Sequence, residues 1–479
     1  MHSANEVSLS LMKQVSATVS ARPGGGVVIR QTVEIEVPAG TSMLEAETLM
    51  QAALVEAGAA IVGEFLHASD ADGQPLQYQK RRFTAKAEKE SRLVECTFGA
   101  VTVSRWAYQS SRGGKCYYPL DHKMELAGSA TPKLARSLAF KMAHAPAARV
   151  CQDLEENHSR KVSVPFVQAT TDLIGDLALE LQPVPDTRQM PDPRDVAVTG
   201  VGIDGATLQI TTLPDEPLKP GKAAPGDAVS VQPRDQRKGR RQEWRVAMVG
   251  TITFYDKAGE RLGTIYTGCA PPEVPGEGKE DFWFLMEREL ATVKARYPKA
   301  VYHGISDGAR DFVPWLKART DRLTLDFFHA AGYLSGAASR MVAAGKGQER
   351  RTSEWLTAAC HQLKYKDGAA AQLPAEMKAR LASGHQSLLA GERLEKAVTY
   401  FANNLERMNY AANVRDHHPI GSGVTEAACG LIIKDRMCNR GMRWSRRTAQ
   451  HIITLRSIIN TTANCWQNFW TSAFSNPIT

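Results

Sequence analysis

The chain reads as an α/β protein whose central element is a mixed sheet flanked by helices, and three observations predict this. Beyond the proline- and acid-rich stretch QPVPDTRQMPDPRD, strand-like runs come first in a group of three and then alternate with helical segments. The apolar runs in VTGVGIDGATLQI and AVYHGISDGA are continuous instead of alternating, as for strands covered on both faces. Between them, DFWFLMERELATVKARY places apolar residues at helical spacing.

The order of elements divides the chain. Residues 1–130 form an N-terminal α+β region. VVIRQTVEIEVP alternates as strands do, MLEAETLMQAALVEAGAAIVGEFLHAS reads as one long amphipathic helix, and RLVECTFGAVTVSRWAY reads as a β-hairpin turning at Phe98 and Gly99. Residues 131–182 hold three helical stretches, the last opened by a Ser163 cap. They make a DNA-binding helix-turn-helix or an ordinary three-helix bundle, and both readings stay open. Residues 183–196 are the linker.

Residues 197–349 begin the core. Strands are predicted at 198–204, 245–256 and 261–268, a helix at 281–297, a strand at 300–305, a helix at 310–319 and a strand at 324–328, before a further helix. Three strands, a helix, then strand-helix-strand-helix is the order of an RNase H-like domain. The loop after the first strand, about forty residues and rich in proline, glycine and charge, reads as disordered without a partner. Residues 350–415 are a helical insertion, and 416–479 complete the core.

Three acids stand at matching places. Asp204 in VGIDGA and Asp307 in GISDGA lie where an apolar run gives way to glycine; Glu426 in GSGVTEAA falls in a first helical turn that Ser422 or Thr425 can cap. A lone Asp-Gly is ordinarily a turn. Three acids in such contexts can instead converge on two hard divalent cations, about 3.5–4 Å apart, that activate an attacking oxygen and stabilise a leaving one. That chemistry cuts or joins DNA.

Charge agrees with this reading. The formal net charge is +8 and the pI about 9.0, which suits a phosphate backbone. Residues 434–447 hold six Lys/Arg against one acid, and 234–245 hold six against two. Arg436, Arg440, Arg443, Arg446 and Arg447 are candidate phosphate contacts, and Trp444 is either a base-stacker or core. Eight cysteines without a C-x-x-C pair read as reduced thiols instead of a disulfide frame or zinc site. No apolar stretch is read as a membrane span of roughly 18–20 residues, and no signal-peptide core opens the chain. The protein is therefore expected in the cytoplasm, on the nucleoid.

In order along residues 90–460, CTFGAVTVSRWAY, YYPLD, GIDGA, SDGARDF, LDFFHAAGYL and PIGSGVTEAACGLIIKDRMCNRGMRWS resemble the ISKra-type insertion-sequence transposases, Mutator-like relatives of the DDE enzymes. The last block is the most specific. The resemblance implies an RNase H fold, two Mg²⁺ per active site with Mn²⁺ as a substitute, recognition of terminal inverted repeats and target DNA, cleavage and strand transfer, and a dimer or higher oligomer on DNA. It carries the family's three acids onto Asp204, Asp307 and Glu426. Relatives often carry a C-x-x-C pair where this chain has SSRGGKCYYPLD, so an N-terminal zinc is not expected.

A rival for the second acid is Asp326, three residues before His329 in LDFFHA, a D-x-x-H pattern shared by such enzymes. Asp307 is preferred because it ends the fourth strand, beside the first, while Asp326 ends the fifth. His329 is then an auxiliary near the scissile phosphate, or orients a carboxylate. Alternatives are a nuclease on the same fold that does not transfer strands, and a transposase-derived DNA-binding regulator.

Overall fold

The structure, a computed structural model, describes residues 15–21, 26–78, 80–183, 185–212, 241–272, 279–309, 311–382, 388–439 and 441–475. The chain is mixed α/β and divides into two compact units, Met1–Gln182 with Phe469–Thr479, and Pro183–Asn468.

In the first unit, β1 (Val15–Ala21) and β2 (Val27–Val33) pair antiparallel. Helix α1 (Met43–Ser69) starts at a capping box: the Glu45 amide donates to Ser42 Oγ at 3.3 Å and the Ser42 amide to Glu45 Oε2 at 2.9 Å. By length and composition α1 could cross a bilayer, which corrects the expectation that no stretch qualifies. It also carries Glu45, Glu47, Glu56 and Glu64. Strands β3 (Leu76–Tyr78), β4 (Arg81–Ala85) and β7 (Tyr108–Ser110) make one small sheet, β5 (Glu90–Glu95) and β6 (Ala100–Arg105) a hairpin. Helix α2 (Pro119–Lys123) presents Asp121 to Arg92 and to the buried Arg105, the latter at 2.6 Å.

Helices α3 (Pro132–His144), α4 (Ala147–His158) and α5 (Val164–Leu181) pack on one another, burying Leu134, Leu138, Val150, Leu154, Val167 and Ile174. Helix α5 carries Asp172, Asp176 and Glu180 and no lysine or arginine. Such a helix brings no cation of its own to a phosphate backbone. The last residues, expected in the core, belong instead to this unit, with Phe469 and Trp470 buried and the Arg136 guanidinium 6.0 Å from the Trp470 ring.

The second unit is organised by a five-stranded sheet in the order β10-β9-β8-β11-β12: β8 (Val198–Thr212), β9 (Arg241–Tyr255), β10 (Arg261–Cys269), β11 (Val301–Ser306) and β12 (Arg322–Leu325). The first three form an antiparallel meander, while β11 runs parallel to both β8 and β12. Strand β8 does not end at Asp204, as its Asp-Gly suggested. It continues to Thr212 because β9 pairs with it throughout, from Val198↔Tyr255 to Thr212↔Arg241. The long loop expected to be disordered lies mostly outside the described residues, as does most of the basic run 234–245.

Alternation along β8 assigns its two faces. Val201 and Ile203 face Phe282, Met286 and Leu290 of α6 (Glu280–Arg296) and Leu316 of α7 (Val313–Arg319). Ala206, Leu208 and Ile210 face a second layer, formed by α13 (Gly423–Cys429), a π-helical turn (Gly430–Lys434), α14 (Asp435–Met437) and α15 (Arg446–Asn460). Between these parts stand α8 (Phe327–Met341), α9 (Gln348–Tyr365), α10 (Ala369–Ala382), α11 (Leu388–Asn404) and α12 (Tyr410–Arg415), with their own core of Leu334, Leu363, Leu373, Leu394 and Phe401. Helix α16 (Cys465–Ser475) ends the described chain.

Candidate metal centre

The parallel strands set three acids at one level. β11 pairs with β8 up to Ile305↔Gly202; two residues further along each strand are Asp307 and Asp204. β11 pairs with β12 up to Ser306↔Leu325; one residue further are Asp307 and Asp326. The ladder continues that far on one side, the Asp326 amide donating to the Ser306 carbonyl at 2.8 Å. Carboxyl ends of parallel strands are where open α/β sheets bind ligands.

Glu426 is delivered by α13, which packs on the face of β8 that carries Asp204. Gly202 makes the approach possible: a Cβ there would lie 2.0 Å from Thr425 Oγ1. Thr425 shares a hydrogen bond of 2.8 Å with Thr251 on β9. Thr425 is therefore a tie to the sheet and not a helix cap. Ser422 does not cap α13 either. Its hydroxyl stands 2.8 Å from Asp326 Oδ2 and 2.8 Å from Glu426 Oε1, and its single proton can serve one of them at a time.

Asp326 is fully buried, with Oδ1 accepting from the His329 amide at 2.7 Å and Oδ2 from the amide and hydroxyl of Ser422. It caps α8 and clamps the turn before α13. Glu426 and His329 are about half exposed, with Oε1 and Nε2 3.6 Å apart. Asp326, His329 and Glu426 each offer a ligand atom within 4.8 Å of the others, the one such group of three among the described residues.

Asp204 is half-buried. Its Oδ1 accepts from the Gly205 amide at 2.6 Å, and its Oδ2 stands 3.4 Å from the Cys429 sulfur, whose S–H donates to it. Burial, and then the Asp204 carboxylate, hold that thiol protonated far above its ordinary range, so Cys429 is a donor here and not a nucleophile. Asp307 accepts from the Ala309 amide at 2.9 Å in a turn that Gly308 completes at φ +101°. Asp307 is not in the close group of three.

The donor set suits a hard divalent cation. Asp204, Asp307 and Glu426 keep solvent access and free lone pairs, whereas both oxygens of Asp326 are already taken by three donors. On that ground Asp326 is better placed to orient its neighbours than to bind metal, and His329 adds one nitrogen beside Glu426. Cys429 and Gly202 were not found from the sequence, and Thr425 was named only as a cap, since neither periodicity nor spacing marks contacts made across such separations. A GSG turn before the helix was the one local signal, and it pointed to Ser422 or Thr425 only as a cap.

The basic segment is divided. Arg436 and Trp444 are buried: of the two readings of Trp444 the core one holds, and the expectation that Arg436 contacts phosphate is corrected. Trp444 extends the sheet: its amide donates to the Gln209 carbonyl at 3.1 Å, its own carbonyl accepts from Thr211 at 2.8 Å, and its indole N–H reaches the Met437 carbonyl at 3.0 Å. The Arg436 guanidinium stacks 4.9 Å from its ring, and burial lowers the Arg436 pKa to about 10. Arg446 is held by the Pro271 carbonyl at 3.0 Å and Asp281 at 3.1 Å. Arg443 and Arg447 are exposed, and Arg440 lies outside the described residues. Arg456 was not anticipated; it donates to the carbonyls of Leu431 and Ile432 in the π-helical turn, at 2.9 and 3.1 Å from Nε.

No protein-family model matches the chain, and no curated protein is significantly similar to it.

Proposed function

We propose that this chain is a DDE transposase: an RNase H-like enzyme that binds the terminal inverted repeats of an insertion sequence and cuts and transfers DNA with Mg²⁺. The observation that carries the reading is the alignment of Asp204, Asp307 and Asp326 at one level of three adjacent strands, with Glu426 on the helix that packs against the first of them. The strand order supports the finer fold reading, since an antiparallel meander with its first strand central and two parallel strands beside it is what an RNase H-like domain requires. The family resemblance of the sequence blocks supports the substrate and the reaction.

In this reading Asp204, Asp307 and Glu426 would hold two Mg²⁺, which when bound would supply charge to activate the attacking oxygen and stabilise the leaving one. The chain's own contribution is placement. Cys429 and the Gly205 amide fix the plane of the Asp204 carboxylate, Ser422 is shared between Asp326 and Glu426, and Asp326 holds the turn that aims Glu426. Arg443 and Arg447 are exposed, and in this reading they meet phosphates outside the centre.

A strand-transfer assay on a plasmid flanked by the element's terminal repeats, run with Mg²⁺ and with EDTA, tests this. Cleavage and joining with Mg²⁺ alone are expected, and Asp204→Asn or Glu426→Gln should abolish both while DNA binding persists. Cutting without joining would make the protein a nuclease; binding without either reaction would make it a DNA-binding regulator.

A further inference from the structure

The helical insertion sends one polar group toward the acids that the metal reading does not use. Tyr400 of α11 is stacked on Tyr333 of α8, with centroids 3.7 Å apart and planes 15° from parallel, so its ring direction is fixed. Its hydroxyl oxygen is buried and hydrogen-bonds to nothing among the described residues. A Cβ built on Gly308 would lie 3.1 Å from that oxygen, which places it beside the turn that carries Asp307. Asp307 and Asp326 are both within electrostatic reach, yet neither accepts its proton.

A buried hydroxyl without a partner costs stability, and a phenylalanine would avoid the cost. We infer that the Tyr400 hydroxyl donates a hydrogen bond to a phosphate-ester oxygen bound at the Asp307–Asp326 end of the acid row, which makes Tyr400 a substrate-contacting residue supplied by the insertion. This rests on reading the acids as a phosphoryl-transfer centre. An anionic phosphate beside carboxylates needs cations between them, so binding should depend on the divalent metal. Arg407, whose guanidinium bonds to Ser306 Oγ at 2.9 Å, adds positive charge on the same side.

The test uses the full chain and Tyr400→Phe, titrated calorimetrically with thymidine 5′-monophosphate in Mg²⁺, together with thermal melts without ligand and Mn²⁺ binding by electron paramagnetic resonance. Loss of one hydrogen bond to a charged group should weaken nucleotide binding about tenfold or more. The melting temperature should stay level or rise, and Mn²⁺ affinity should not change. Equal nucleotide affinity in the variant, a lowered melting temperature, or weaker Mn²⁺ binding would each overturn the inference, the last two by giving the hydroxyl a structural or metal-positioning role. So would a wild-type chain that binds no nucleotide. A wild-type chain that binds nucleotide through Tyr400 but neither cuts nor joins DNA would overturn the transposase reading alone.

Discussion

Replacing Gly202 by alanine should separate the two halves of the metal centre without touching an acid. The methyl would lie 2.0 Å from Thr425 Oγ1, 3.0 Å from Thr251 Oγ1 and 3.1 Å from Thr425 Cβ. Comfortable non-bonded contact needs about 3.5 Å, so strand and helix must part by roughly 1.5 Å. Rotating Thr425 is no escape, because its Cβ is already tight and its bond to Thr251 would be lost. Overpacking costs about 1–3 kcal/mol and the lost hydrogen bond about 1. For a unit of this size that is a fall of roughly 5–15 °C in Tm. A misplacement of about 1 Å can reduce a reaction some hundredfold, so metal-dependent cleavage should fall by that order even where the protein stays folded. The double variant Gly202→Ala/Thr425→Ala removes the closest contact and should recover about half the stability, a coupling of roughly 1–2 kcal/mol. Melts in a calorimeter and single-turnover cleavage at 20 °C would report both effects. If Gly202→Ala melts within a degree of wild type and cleaves at full rate, α13 does not rest on β8 as argued.

Asp326→Asn should lower the melting temperature sharply, since its amide would confront the Ser422 N–H and hydroxyl, whereas Asp307→Asn should leave it nearly level and abolish cleavage. A reversal, with Asp326→Asn stable and inactive and Asp307→Asn active, would make Asp326 the second metal ligand. Neutralising Arg443 and Arg447 together should flatten the plot of log affinity against log salt by up to about two units; an unchanged slope would show that neither meets a phosphate. Burial, then His418 and Arg322, lower His303 to about 3, while its Nε2 is 2.7 Å from Thr324 Oγ1. The unfolded chain therefore takes up this proton first as pH falls below about 6.5, and stability should be lost from there toward pH 3, at about 1.4 kcal/mol per pH unit. The drop in urea-derived stability between pH 7.5 and pH 5 should be about 2 kcal/mol smaller in His303→Asn, and an equal drop in both proteins would contradict the assignment. Trp470→Ala should cost about 3–4 kcal/mol in the first unit, read as faster hydrogen exchange in α3 and α5.

What the sequence made legible is what local chemistry encodes. Apolar runs located β8, β9, β10 and β11, and helical spacing located α1 and α6. Asp204 and Asp307 were visible because glycine follows each. The rest depended on partners far along the chain. An Asp-Gly ordinarily ends a strand, but β9 supplies hydrogen bonds past Asp204, so the strand continues. RMCNRGMRW reads as a basic surface until Trp444 is seen completing the edge of β8, which draws Arg436 inside with it. Cys429 carries no local sign of its contact with Asp204, because the contact follows from how α13 lies on the sheet.

The clamp at Asp326 also explains how a helical insertion can stand between two parts of one centre. The chain leaves the core at α8 and returns before α13, and Asp326 and Ser422, 96 residues apart, close that excursion at its base. The Phe327 amide seals the same place by donating to the Ile420 carbonyl at 2.9 Å. The entropy of closing a long loop grows only with the logarithm of its length, so the clamp's demand hardly depends on what lies within it. The insertion's own core can therefore vary while Glu426 keeps its level with Asp204. Under this arrangement Asp326 and the pair Gly202–Thr425 fix Glu426 from opposite sides, one through the turn before α13 and one through its packing face. Loss of either should misplace the same carboxylate, and their combined loss should cost less than the sum, because the second substitution acts on a helix already displaced.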